Sequence, residues 1–133
     1  MSAGQIHHVG VAVANLDESI ALYTRALGAE LVHRATSESE GIEVALLRVG
    51  NDEIELMSAT RDDSPVGKFM AKRGPGLHHV AYGVTDIDAA LTQARAAGLE
   101  LIDGEPRIGL NGRRIAFVHP KAMGGVLTEL VET

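Results

Sequence analysis

Cysteine is absent from the 133 residues, which removes disulfides, iron–sulfur clusters and thiolate zinc sites from consideration. Any transition metal must then be held by imidazole, carboxylate or carbonyl oxygen. The same absence fits a reducing cytoplasm, the compartment expected for this chain. Tryptophan is missing too, and only four aromatic rings are present, Tyr23, Phe69, Tyr82 and Phe117. A binding cavity built mainly on aromatic stacking would want more. No apolar run approaches the roughly 20 residues needed to span a bilayer. The opening stretch, MSAGQIHHVGVAV, has no basic region ahead of a long apolar core, so no signal peptide is read there and a soluble protein without a membrane partner is expected. Net positive charge is lacking as well. The formal charge is −6 and the isoelectric point near 5.4, which argues against a nucleic-acid partner held by many phosphate contacts. The basic residues are uneven, with nine of the twelve from Arg61 onward. Most fit a solvated surface, and a few are available to meet the phosphates of a small anionic ligand.

What the chain does contain is a weak internal duplication. IHHVGVAVANLDESIALYTRALGAEL, from Ile6, resembles LHHVAYGVTDIDAALTQARAAGLEL, from Leu77. Each opens with a β-type run carrying His-His-Val. Each then offers a helix cap, Asn15 with Glu18 three residues on, and Asp86 ahead of IDAALTQARAAG. Leu16, Ile20, Tyr23 and Leu27 have helical spacing, as do Ile87, Leu91 and Ala94. Gly28 and Gly98 stand where helix C-caps belong, each ahead of an apolar-alternating strand. IEVALLRVG and EIELMSA then complete the first half, IAFVHP and GVLTELVE the second. Both halves read β-α-β-β-β. The expected fold is α+β, a single domain of two paired βαβββ modules, about residues 5–60 and 76–133, joined by a helical linker over about 61–75 that Ser64 and Pro65 start. One four-stranded unit cannot bury both faces alone, so pairing into one curved mixed sheet is the expected solution.

In each half the opening strand supplies a histidine and the closing strand a glutamate: His8 with Glu55, and His79 with Glu129. Both glutamates interrupt apolar strand runs, where a carboxylate is costly to bury unless paired, protonated or bound to metal. Strand alternation puts Glu55 opposite in face to Ile54 and Leu56. A lone strand histidine is more often a core or surface residue, and a strand glutamate usually faces solvent. Their recurrence at equivalent places in both repeats is what favours a metal site. His7 and His78 should point away from the ligands. Two imidazoles and two carboxylates suit Co²⁺, Mn²⁺, Ni²⁺, Zn²⁺ or Fe²⁺.

At these residues the chain resembles the vicinal-oxygen-chelate (glyoxalase) superfamily, paired βαβββ modules around a metal-containing cavity, and within it the methylmalonyl-CoA epimerase family. The similarity runs over nearly the whole chain, and DSPVGKF, GPGLHHVAY, and HPK followed by GGVLTEL carry it most specifically. It implies metal ligation by His8, Glu55, His79 and Glu129, with Co²⁺ as the ion, a homodimer, and interconversion of (R)- and (S)-methylmalonyl-CoA. It also implies that HPK (His119 to Lys121) lies near the acyl-CoA, with Lys121 a phosphate or carboxylate contact. Certain members have a proposed catalytic glutamate on the second strand of the first half. Ungapped alignment from Gly28 to Gly41 puts Val44 there, with Glu43 one residue earlier, and a one-residue shift reverses the face of a strand. Glu43 is therefore a base only if the register slips.

Epimerisation requires one α-proton removed and one returned to the opposite face. A metal chelated by the thioester and carboxylate oxygens would stabilise the enolate charge, with Glu129 as base on one face and Glu43 or a metal-bound water on the other. A carboxylate bound to a dication is a poorer base, which sets Glu129's two roles in tension. A glyoxalase-type isomerase would use the same metal set, whereas HPK and GGVLTEL favour the CoA substrate. An Fe²⁺ dioxygenase would not need Glu55 as a fourth ligand. A drug-binding resistance protein of the same fold is the non-enzymatic alternative.

Overall fold

In the computed structural model, residues 2–133 are described. They form two compact units, one of His8–His78 and the other of residues 2–7 with His79–Thr133. Each unit is built from the same succession of elements.

In the first unit, β1 (Gln5–Ala12, entering the unit at His8) leads into α1 (Leu16–Leu27), β2 (Glu30–Ser37), β3 (Ile42–Val49), β4 (Asp52–Ala59) and α2 (Pro65–Arg73). The strands lie in the order β2-β3-β4-β1. β2, β3 and β4 form an antiparallel meander, and β1 adds to β4 in parallel, with Gly10 beside Glu55. Helix α1 starts as its cap residue requires: the Asn15 side chain accepts the Glu18 N–H at 3.0 Å. It ends at Gly28, whose φ of 67° is left-handed backbone that a glycine adopts without strain. Leu16, Ile20 and Tyr23 pack with Val11, Val13, Ala45, Leu47 and Leu56. Leu27, expected on the same stripe, is 57% exposed.

Helix α2 shows what the DSPVGKF motif does. The Ser64 hydroxyl accepts the Gly67 N–H at 3.0 Å and donates to the Arg61 carbonyl at 2.7 Å, and Pro65 occupies the first turn. A Cβ on Gly67 would lie 2.6 Å from the carbonyl oxygens of Arg61 and Asp62. Glycine is required there by close backbone approach. The segment expected to link the modules is thus part of the first unit, against β4.

The second unit holds β5 (Gly76–Val84, entering at His79), α3 (Ile87–Ala96), β6 (Arg107–Ile108), β7 (Arg114–Val118) and β8 (Thr128–Glu132). Its order is β5-β8-β7-β6. β5 pairs with β8 in parallel, and β8, β7 and β6 are antiparallel. Asp86 caps α3 by accepting the Ala89 N–H at 3.1 Å. Ile87 and Leu91 pack on Val84 and Ala116. One expectation is corrected here. The strand read directly after Gly98 is reduced to an isolated bridge, Leu101 with Val118, and the two-residue β6 comes only at Arg107. The intervening Asp103-Gly104-Glu105-Pro106 includes a glycine that weakens a strand and a proline that has no N–H to give a ladder. Among the described residues no helix is long and apolar enough to cross a membrane.

Candidate metal centre

The second unit positions its two predicted ligands through strand register. Ala81 lies beside Glu129 in the parallel β5–β8 pair, and Phe117 lies opposite Glu129 in β7–β8. Alternation then gives His79, Ala81, Glu129, Val131, Ile115 and Phe117 one common face, while Val84, Ala116 and Leu130 face α3. His79 and Glu129 are 2% and 5% exposed. His79 Nε2 lies 3.0 Å from Glu129 Oε1. The His79 ring stands edge-on to Phe117, with centroids 5.6 Å apart and planes at 83°, an arrangement favoured by the ring quadrupoles.

The first unit repeats the device more loosely. His8 Nε2 is 4.0 Å from Glu55 Oε2, with side-chain exposures of 2% and 22%. Gly10 and Ala12 continue the face of His8, and Leu46 lies opposite Glu55 on β3. The donor chemistry of each pair suits a metal ion. The 3.0 Å between His79 Nε2 and Glu129 Oε1 is hydrogen-bond distance, and both atoms are of the donor type that binds divalent metals. Three of the four predicted ligands, His8, His79 and Glu129, are buried, where a carboxylate needs a cationic or hydrogen-bonded partner.

The register of β3 answers the question that alignment raised about Glu43. β3 pairs with β4 without a slip from Ile42 to Val49, and Glu43 lies opposite Ser58. Glu43 therefore shares the face of Ala45 and Leu47, which carries α1. Its carboxylate accepts from Arg34 Nε at 3.0 Å, and Arg34 also donates to Asp17 of α1 at 2.6 Å. Those two bonds, Glu43's the larger, raise the Arg34 pKa above its ordinary value. The β3 position on the face of Glu55 is Val44, 5% exposed. Glu43 is not brought beside His8 or Glu55.

Lys121 lies exposed in a single 3-10 turn, Pro120–Met123. His119 starts it, its Nδ1 accepting the Lys121 N–H at 3.1 Å. The first histidine of the second pair serves packing: the His78 ring meets Phe69 of α2 edge-on at 4.9 Å. Two residues that the sequence did not single out join the face of Glu129. Phe117 flanks His79, and the Arg107 guanidinium carbon lies 5.5 Å above the Phe117 ring. Alternation in IAFVHP was the available signal for Phe117. Arg107 was one basic residue among nine.

Residues 7–117 match the Glyoxalase/Bleomycin resistance protein/Dioxygenase superfamily. The ethylmalonyl-CoA/methylmalonyl-CoA epimerase of Cereibacter sphaeroides is 36% identical, over 96% of this chain and 96% of its own length. The chain belongs to the methylmalonyl-CoA epimerase family. The family's solved structures agree in fold. The Mycobacterium tuberculosis methylmalonyl-CoA epimerase superposes with a TM-score of 0.93 and 42% identity, covering 98% of this chain and 88% of that one. A variant of the Streptomyces coelicolor methylmalonyl-CoA epimerase in complex with 2-nitronate-propionyl-CoA reaches a TM-score of 0.95 at 39% identity, over 99% and 96% of the two chains. The α+β glyoxalase-superfamily fold expected from the duplicated sequence is the fold of this chain.

Proposed function

We propose that this protein is a metal-dependent epimerase that interconverts (R)- and (S)-methylmalonyl-CoA. Near-full-length similarity to methylmalonyl-CoA epimerases at 36–42% identity carries the reading. The buried His79–Glu129 pair supports it from the chemistry of the residues. In this reading His8, Glu55, His79 and Glu129 of the two modules serve one divalent ion. Cobalt is the ion and a homodimer the assembly that the family resemblance implies, in the cytoplasm as read from the sequence. A bound dication would supply Lewis-acid stabilisation for the negative charge that forms on the thioester oxygen once the α-proton leaves.

The chain's own residues do the rest. Strand β8 holds the Glu129 carboxylate out of water, which favours proton transfer over solvation of the charge. Glu129 takes the α-proton at one face of the carbon. Glu43 stands on the α1 side of its strand, so the proton returned to the opposite face comes from another group. Lys121, exposed on its turn, is the contact for the anionic CoA on this reading.

The test is α-proton exchange. Methylmalonyl-CoA in deuterated buffer should exchange its α-proton and epimerise with metal-restored protein and not with chelated protein. A thiol-adduct substrate of the glyoxalase type, assayed alongside, should not react. No exchange by the metal-restored protein would remove the epimerase reading.

A further inference from the structure

We infer that Arg107 reads the free carboxylate of the acyl group and so restricts this protein to dicarboxylic acyl-CoA thioesters. The inference rests on the acyl-CoA reading above and names what in the substrate is recognised.

Arg107 faces the side of the sheet that carries Glu129. It pairs with Ile115 across β6–β7, and Ile115 packs with Ala81, Val131 and Phe117. The guanidinium lies over the Phe117 ring at 5.5 Å, and that ring meets His79 at 5.6 Å. The cation is thus one aromatic ring away from the buried imidazole. It is also held in place. Arg107 Nε lies 3.4 Å from Asp103 Oδ1, while Asp103 Oδ2 accepts the Phe117 N–H at 2.8 Å. The N–H groups of Ile102 and Asp103 both donate to the Phe117 carbonyl, at 3.0 and 3.2 Å. One aspartate therefore anchors both the arginine and the backbone of the ring beneath it. The Arg107 side chain remains 41% exposed.

Charge gives this arrangement its use. The chain carries −6, and on its Glu129 face an acidic side chain would repel a substrate carboxylate. A guanidinium donates strongly to a carboxylate oxygen, here the one that does not face the metal, and stacking on an aromatic ring lowers the entropy lost in doing so. A monocarboxylic relative such as propionyl-CoA has the same CoA and thioester without that anion.

Calorimetric titration of wild-type, Arg107→Gln and Arg107→Lys proteins with methylmalonyl-CoA and propionyl-CoA, at matched metal loading, tests this. Arg107→Gln should weaken methylmalonyl-CoA on the order of 10- to 100-fold and leave propionyl-CoA unchanged, with Arg107→Lys between. Retained propionyl-CoA binding also reports that the variant is folded. Equal weakening of both ligands would assign the charge to the CoA phosphates and overturn the inference, as would no change in either. Epimerase activity in the same samples separates the two readings. Active wild type with unaltered binding by Arg107→Gln sinks the inference alone, and inactive wild type sinks the proposed reaction.

Discussion

Glu43 and Glu55 lie on adjacent antiparallel strands and point to opposite faces. Glu55 is level with Leu46, and Glu43 is level with Ser58, three places along the same ladder. An odd offset along a strand reverses the side chain. Glu43 is consequently tied to Arg34 and, through it, to Asp17 of α1. Replacing Glu43 by Gln should leave α-proton exchange at its wild-type rate while lowering the melting temperature slightly, as an exposed ion pair contributes little. Exchange by NMR and a thermal melt give both readings. A large loss of exchange would return Glu43 to the proton-transfer step.

Glu129 behaves differently on this reading. Glu129→Gln keeps the shape of the side chain and removes its charge, and it should reduce exchange by about 10²-fold or more. Metal content measured in the same preparation separates a lost base from a lost ligand. Wild-type exchange by Glu129→Gln would exclude Glu129 as the base.

The four proposed ligands should also rank. His79 and Glu129 are closer together and more deeply buried than His8 and Glu55. After dialysis, His79→Ala should lose stoichiometric metal, while Glu55→Gln should keep it with weaker affinity. Restoring metal to the chelated wild type should raise the melting temperature in proportion to ligand binding. Full metal retention by His79→Ala would refute the assignment.

Gly67 supports the site indirectly by seating α2. Alanine is the better helix former by about 1 kcal/mol, which alone would make Gly67→Ala stabilising. Its Cβ, however, would sit 2.6 Å from two backbone carbonyl oxygens, and overpacking of this kind costs about 1–3 kcal/mol. Urea denaturation should show net destabilisation, and a stabilised variant would mean that the turn before α2 gives way freely.

Acid provides a further check at the same turn. The hydrogen bond from Arg61, followed by its charge, holds the Asp63 carboxyl below the ordinary aspartate value. A depressed folded value means that the pair stabilises the fold at neutral pH, above the unfolded pKa of about 3.9. That contribution disappears as pH falls through the depressed folded value. Carbon-detected NMR titration should place Asp63 below the usual range in the wild type and within it in Arg61→Gln. An unshifted wild-type titration would contradict the pair.

Much of this was determined by the sequence alone, because the controlling interactions are short-range. Asn15, Ser64 and Asp86 cap helices through N–H groups three residues away. His8, Glu55, His79 and Glu129 recur at matching places in a duplicated chain, and period-two alternation sets each on a face of its own strand. Register is another matter, since it depends on hydrogen bonds between residues far apart in the chain. Only the β3–β4 ladder could place Glu43 with α1 and Val44 on the face of Glu55. The strand expected after Gly98 stops where Asp103-Gly104-Glu105-Pro106 interrupts it, and there the Asp103 side chain accepts the Phe117 N–H of a later strand. The same tertiary contact brings Arg107 over Phe117, whose ring in turn meets that of His79, a cluster with no local pattern to announce it. Local chemistry chose which side chains can bind a metal or carry a proton, and the pairing of distant strands decided which of them share a face.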